Sequence, residues 1–70
     1  MANYLLRGWF VAPDVKHSGS VEATVERATR PTEAEATEVL LPLAEADVAR
    51  SVGETYQCSF TGVTIEEQDT

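Results

Sequence analysis

Two segments near the start of the chain have the residue pattern of β-strands. Residues 4–12 are rich in aromatic and branched side chains and end before Pro13, so they predict a strand with two largely apolar faces. Residues 21–28 alternate between apolar and polar, which predicts a second strand with one face in the core. Residues 13–20 contain Pro-Asp and Ser-Gly-Ser and are predicted to be a loop, so the two strands would form an antiparallel hairpin.

The next segment has the features of a helix. Thr32 and Glu35 have the spacing of a capping box, good helix formers continue to about Arg50, and Gly53 provides a C-terminal stop. Pro42 lies in the middle, where proline costs about 3 kcal/mol. The apolar face before Pro42 is rotated by about 100° from the face after it. We therefore predict a kinked helix or two short helices that meet near this proline.

A third strand is predicted over residues 55–66. Its apolar residues change from even to odd positions at Gly62, and one extra residue there, as a β-bulge, would return all of them to one face. The side chains that this bulge would align are Tyr56, Cys58, Phe60, Val63 and Ile65. The remaining residues, 66–70, are expected to be a frayed acidic tail.

The order β-β-α-β predicts a single small α+β domain over residues 1–70. A three-stranded antiparallel sheet with the helical segment packed on one face would bury one apolar sheet face and one helix stripe. We expect the third strand to pair with the first, which would then be central. If Tyr4, Leu6 and Phe10 point towards the helix, Trp9 lies on the uncovered face; the reverse arrangement stays open.

Charge narrows the class of partner. The chain of 70 residues has 12 acidic and 5 basic side chains, for a formal net charge of −7. Nine of the acids but only one of the bases lie in residues 31–70. This balance argues against direct binding to nucleic acid and favours a larger protein or complex with a basic surface. No apolar run is long enough for a membrane helix, and we expect a cytoplasmic protein.

The inventory of reactive side chains argues against an enzyme. Cys58 alternates with aromatic residues on the third strand, which indicates a buried apolar residue. His17 is the single histidine and is expected to be exposed in the loop. The sequence contains no phosphate-binding loop, dinucleotide fingerprint or metal-binding helix motif. We therefore expect no catalytic residues, no metal and no cofactor.

Five residues are candidates for contact with a partner. Glu35, Glu38 and Glu45 lie within about 80° of one another on an ideal helix, where they form either a solvated surface or an acidic docking surface. Trp9 shares a strand face with Arg7, and these two residue types are enriched at the energetic centres of protein interfaces.

In size, acidity and lack of recognisable chemistry, the chain resembles small accessory proteins of phages and mobile elements, including anti-CRISPR inhibitors and nucleic-acid mimics. The resemblance covers these gross features and no specific motif. It implies a binding protein that inhibits or modulates a larger partner. The surface of the partner that it contacts would be basic and would otherwise bind nucleic acid. The alternative is a structural or assembly subunit, a homodimer for example, that self-associates through its exposed sheet face.

Overall fold

A computed structural model describes residues 1–68 and shows an α+β fold. The sheet has three antiparallel strands in the order β2-β1-β3, so the first strand is central, as predicted. One helix lies between β2 and β3 in the chain and packs on one face of the sheet. The elements are β1 (Ala2–Ala12), a 3-10 turn (Pro13–Val15), β2 (His17–Arg27), α1 (Glu33–Val52) and β3 (Ser59–Gln68).

The central strand β1 has one face that α1 covers and one face that is open to solvent. Tyr4, Leu6 and Phe10 are buried under α1, which is one of the two arrangements that the sequence left open. Trp9 points the other way, and its side chain is exposed. Because successive side chains of a strand point to opposite faces, β1 places one row of side chains in the core and one on the open face.

The predicted loop between the first two strands is too long. A 3-10 turn reverses the chain, Lys16 takes the left-handed conformation at φ 54°, and β2 begins at His17. The pairing of β1 with β2 then continues without a break from Ala12–His17 to Ala2–Arg27. Gly19 serves packing within this strand, because a Cβ there would lie 3.3 Å from the Phe10 ring.

Both ends of α1 are capped as the sequence predicts. The Glu35 N–H donates to Thr32 Oγ1 at 3.2 Å, and the Thr32 N–H donates to Glu35 Oε1 at 3.0 Å. At the other end Gly53 has φ 84° and its N–H donates to the Ala49 carbonyl at 2.8 Å. These bonds satisfy backbone groups that have no partner within the helix.

The structure decides between a single helix and the predicted alternative of two short helices, because α1 is one helix that continues through Pro42. Its buried residues follow a four-residue step, which turns about 40° beyond a full helical turn each time. A stripe of this kind winds around the helix, and this winding explains the rotation that the sequence attributed to a break. The buried stripe consists of Ala36, Leu40, Ala44 and Val48. No helix within residues 1–68 is long and apolar enough to cross a membrane.

Strand β3 contains the predicted irregularity. Trp9 pairs with Gly62 and Phe10 pairs with Phe60, so Thr61 is the extra residue, next to the predicted position. The Thr61 hydroxyl donates to the Trp9 carbonyl at 3.3 Å. The five apolar residues on either side of the bulge all reach the core.

The boundaries of the third strand differ from the prediction. The strand begins at Ser59, and residues 55–58 precede it without regular structure. It ends at Gln68, so residues 66–68 are paired and do not belong to a frayed tail. Residues 69 and 70 of the predicted tail lie outside the described residues.

The core consists of two clusters that meet over Gly8. One cluster is centred on Phe10 and Val48 and the other on Leu6 and Leu40. Phe60 packs against both, and its ring occupies the space above Gly8, where a Cβ would lie 2.7 Å from a ring carbon. A side chain at this position would therefore displace the residue that joins the two clusters.

Candidate interaction surfaces

The open sheet face carries an apolar row along its central strand. Trp9 is 42% exposed, and Leu5 and Val11 on the same face are half-buried. We call these three residues the open-face stripe. Trp9 pairs with Ser20 on one side and Gly62 on the other, and the indole lies 3.8 Å from the position of a Cβ on Gly62. Small neighbours thus leave the ring accessible.

Arg7 lies within this stripe, between Leu5 and Trp9. Its guanidinium forms an ion pair with Glu22 on β2 at 2.9 Å, and both side chains are about half exposed. An exposed pair of this kind contributes about 0.2–1 kcal/mol. Arg7 therefore offers a partner a cation whose charge is already partly neutralised.

The carboxylate of Glu35 forms hydrogen bonds within the molecule. It forms one half of the capping box, and its other oxygen accepts a hydrogen bond from Arg27 of β2 at 3.3 Å. The bond from the Thr32 backbone N–H, with a smaller contribution from the charge of Arg27, lowers the pKa of Glu35. This carboxylate is consequently the least available of the three predicted helix acids.

Glu38 and Glu45 have no such bonds. Glu38 is exposed on the outer side of α1, and Glu45 is half-buried. They are seven residues apart, which is two helical turns or about 10.5 Å along the axis. No cation lies within ion-pair distance of either carboxylate among the residues that the structure describes. We call this pair the outer helix acids.

The structure separates the predicted contact residues into two surfaces. Arg7 and Trp9 lie on the open sheet face, whereas the outer helix acids lie on the layer that covers the opposite face. A flat partner surface can contact one of these sets but not both at once. The sequence left this separation open, because its pattern does not decide which face of the first strand the helix covers.

The arginines are all engaged within the molecule. Arg7, Arg27 and Arg50 pair with Glu22, Glu35 and Asp47, and Arg30 donates to the Ile65 carbonyl. Within residues 1–68 many acids, in contrast, have no cation within 4.0 Å. These acids are Asp14, Glu26, Glu33, Glu38, Glu45, Glu54, Glu66 and Glu67.

His17 is not in an exposed loop, contrary to the sequence prediction. It is the first residue of β2, half-buried, with Nε2 at 3.2 Å from Asp47 Oδ2 on α1. Its ring also lies near Phe10, with 6.1 Å between centroids. The alternation of His17, Gly19 and Val21 was the signal that could have placed it on the strand.

Cys58 is buried, as predicted. Burial raises the pKa of its thiol, and the charges of Glu45 and Asp47 raise it further. A thiol with a raised pKa has little thiolate at neutral pH, and thiolate is the nucleophilic form. This environment fits an apolar core residue.

A shallow groove of about 430 Å³ lies between the start of α1 and β3. Arg30 lies in its wall and donates a hydrogen bond to the Ile65 carbonyl of β3. An internal hydrogen bond therefore engages the one basic side chain that lines this groove within residues 1–68. Its lining residues are Arg30, Pro31, Glu33, Val63, Thr64 and Ile65.

Residues 1–68 contain no group of three or more His, Cys, Asp or Glu side chains arranged to hold a metal ion. Comparison of the chain with protein-family models, with curated proteins and with solved structures finds no match. The surfaces described above are therefore the basis for a functional assignment.

Proposed function

We propose that this chain is a small acidic binding module that inhibits or modulates a larger partner. Its helix side would dock on a basic surface of that partner, one that otherwise binds nucleic acid. The observation that carries the proposal is the imbalance of pairing: the arginines are engaged internally, while eight acids are free of cations among residues 1–68.

The outer helix acids are the proposed centre of the docking surface. The helix fixes the backbone of Glu38 and Glu45, so only their side-chain rotamer freedom is lost when they meet fixed cations. Their spacing of about 10.5 Å follows from the rise of the helix. Such a surface would present negative charges at fixed separations to lysines and arginines, as phosphate groups do.

An anti-defence role of the anti-CRISPR type is one specific form of this proposal. It follows from the resemblance in size and acidity to phage accessory proteins. A cytoplasmic location and the lack of an enzymatic activity belong to the same proposal. The general form, an acidic protein that competes with nucleic acid for a basic surface, stands without them.

The proposal is tested by capturing the partner protein and by measuring whether nucleic acid competes with the chain for it. The immobilised chain is used to capture proteins from its native host, and the retained protein is then purified and its affinity measured at several salt concentrations. We expect the affinity to fall as ionic strength rises, and duplex or single-stranded nucleic acid to displace the chain. An affinity that is insensitive to salt, or a complex that nucleic acid does not displace, would contradict the proposal.

A second candidate function is an assembly subunit that associates through the open sheet face. The observation in its favour is the open-face stripe, since no element within residues 1–68 covers Leu5, Trp9 and Val11. Replacing Trp9 with Ser would then prevent self-association, which sedimentation velocity measures. If wild-type protein is monomeric, or if the W9S protein associates as the wild type does, this candidate is rejected.

A further inference from the structure

We infer that β2 is a pairing edge for a second copy of this chain. Two β2 strands would join antiparallel about a two-fold axis and make one continuous six-stranded sheet. This inference is independent of the proposed function, because the outer helix acids and the open sheet face both stay accessible in such a dimer.

The two edges of the sheet differ in how they are protected. On β3, Thr61 forms a bulge and Arg30 binds the Ile65 carbonyl, and both features hinder the addition of another strand. On β2, all eleven residues pair regularly with β1. Among residues 1–68 no hydrogen bond other than those to β1 reaches the main chain of β2. Its outward N–H and C=O groups are available for a partner strand.

One row of α1 residues lies above β2, and the residue in the middle of this row is apolar. Glu35 and Asp47 bind the two ends of β2, through Arg27 and His17 respectively. Leu43 lies on the same four-residue row of α1, between them, and is 40% exposed. In a dimer that pairs β2 with β2, the two copies of Leu43 would approach each other above the joined strands and lose contact with water.

One register of this pairing brings opposite charges together. With Val21 on the two-fold axis, residues 17–25 of the two copies pair, and Glu26 of one copy lies beside Lys16 of the other, the turn residue directly before β2, at both ends of the ladder. Lys16 is exposed and forms no side-chain bond within residues 1–68. A shift of the axis to Glu22 places two like charges opposite each other, and a shift to Ser20 does the same for Glu26 and Asp14; like charges at such positions are destabilising.

The size of the contact fits a reversible dimer. An eleven-residue strand is about 36 Å long. The shortest extent of the molecule is 15 Å. An edge surface of that height and of the strand's length amounts to about 500 Å² per copy, or about 1,000 Å² in total, which is the lower end of specific interfaces. We therefore expect association that depends on protein concentration.

A charge-exchange experiment tests the pairing. Mass is measured by sedimentation equilibrium for the wild type, K16E, E26K and an equimolar mixture of the two variants, with circular dichroism to confirm folding. The wild type should change from 7.6 kDa to twice that mass as concentration rises. Each variant alone would oppose two like-charge pairs and stay monomeric, whereas the mixture would form two attractive pairs and dimerise. E38K, which has the same charge change as E26K but lies on the outer helix side, should dimerise as the wild type does.

The outcomes separate the alternatives. A wild type that stays at the monomer mass at about 1 mM would overturn the inference, since that concentration exceeds the micromolar dissociation constants of most specific small interfaces. Dimerisation of K16E and E26K alone to the wild-type extent would also overturn it. Loss of the dimer in W9S with no effect of either charge change would assign self-association to the open sheet face instead.

Discussion

Among single residues, two glycines of the sheet differ in the space around them: one is tightly packed and the other is on the open face. Gly8 lies beneath the Phe60 ring, and a Cβ there would lie 2.7 and 2.8 Å from two ring carbons and 3.0 Å from Leu40 Cδ1. Gly62 is on the open face, where the nearest atom is Trp9 Cε3 at 3.8 Å. The two positions are on neighbouring strands of one sheet, so they form a matched pair.

We predict that Gly8→Ala destabilises the fold by about 1–3 kcal/mol, because the added methyl group must displace Phe60 from the junction of the core clusters. Gly62→Ala should change the free energy of unfolding by about 0.5 kcal/mol or less. Urea denaturation followed by circular dichroism measures both values. Equal effects of the two substitutions would show that the packing over Gly8 is not as described.

The carboxylate of Glu35 makes the stability of the folded protein depend on pH. Its pKa is lowered in the folded protein, chiefly by the Thr32 backbone N–H. A lowered pKa contributes stability that is present above the unfolded-state pKa, about 4.3, and is lost as pH falls through the folded-state pKa. Glu35→Gln keeps the shape of the capping side chain and removes the charge.

We predict that Glu35→Gln is less stable than the wild type near neutral pH, and that the difference narrows as the pH falls below about 4.3. Urea denaturation at several pH values measures the difference. Glu38→Gln is the matched control, since that carboxylate has no bond within residues 1–68 and should give a much smaller effect. A constant difference at every pH would contradict the assigned role of Glu35.

At the scale of the secondary-structure elements, local signals predicted the sequence of elements well. The alternation in β2, the capping box of α1 and the change of parity in β3 each have a direct local cause, and the bulge lies within one residue of the prediction. The turn at Lys16 was missed because Ser-Gly-Ser is also typical of loops, whereas here Gly19 lies within a strand and packs closely against the Phe10 ring.

Pro42 shows how tertiary packing overrides a local preference. Pro42 lacks the N–H that would otherwise donate to the Glu38 carbonyl, yet α1 continues because its buried stripe extends over both halves. The proline is exposed, so its ring contributes little to the core. A substitution that restores the missing hydrogen bond should therefore increase the free energy of unfolding.

We predict that Pro42→Ala stabilises the protein by about 1–3 kcal/mol, since alanine restores the backbone bond and is the best helix former. Thermal and urea denaturation measure this gain. Glu38→Ala, on the same exposed side of α1, is the control and should have a small effect. A loss of stability in Pro42→Ala would mean that the proline has a packing role that the structure does not show.

At the scale of the whole molecule, the arrangement of layers decides which residues can act together. The sequence identified Trp9, Arg7 and three helix acids as candidates, and the structure places these on opposite faces. Charge and hydropathy patterns could not show this, because they report the face of an element and not which elements stack. The paired arginines likewise follow from tertiary contacts, such as Arg27 with Glu35, that no local pattern indicates.

In the proposed function, the acidic side of α1 is the surface that binds the partner. The most direct measurement is the affinity of the captured partner for the E38K/E45K double variant and for the single variant E66K, at physiological salt. Glu66 is exposed on the open face, opposite Leu5 in the pairing of β1 with β3. At that ionic strength a charge acts over about 8 Å, so only charges near the interface should matter. We predict binding about tenfold weaker or worse for E38K/E45K and near the wild-type value for E66K. Wild-type affinity in E38K/E45K would contradict the account.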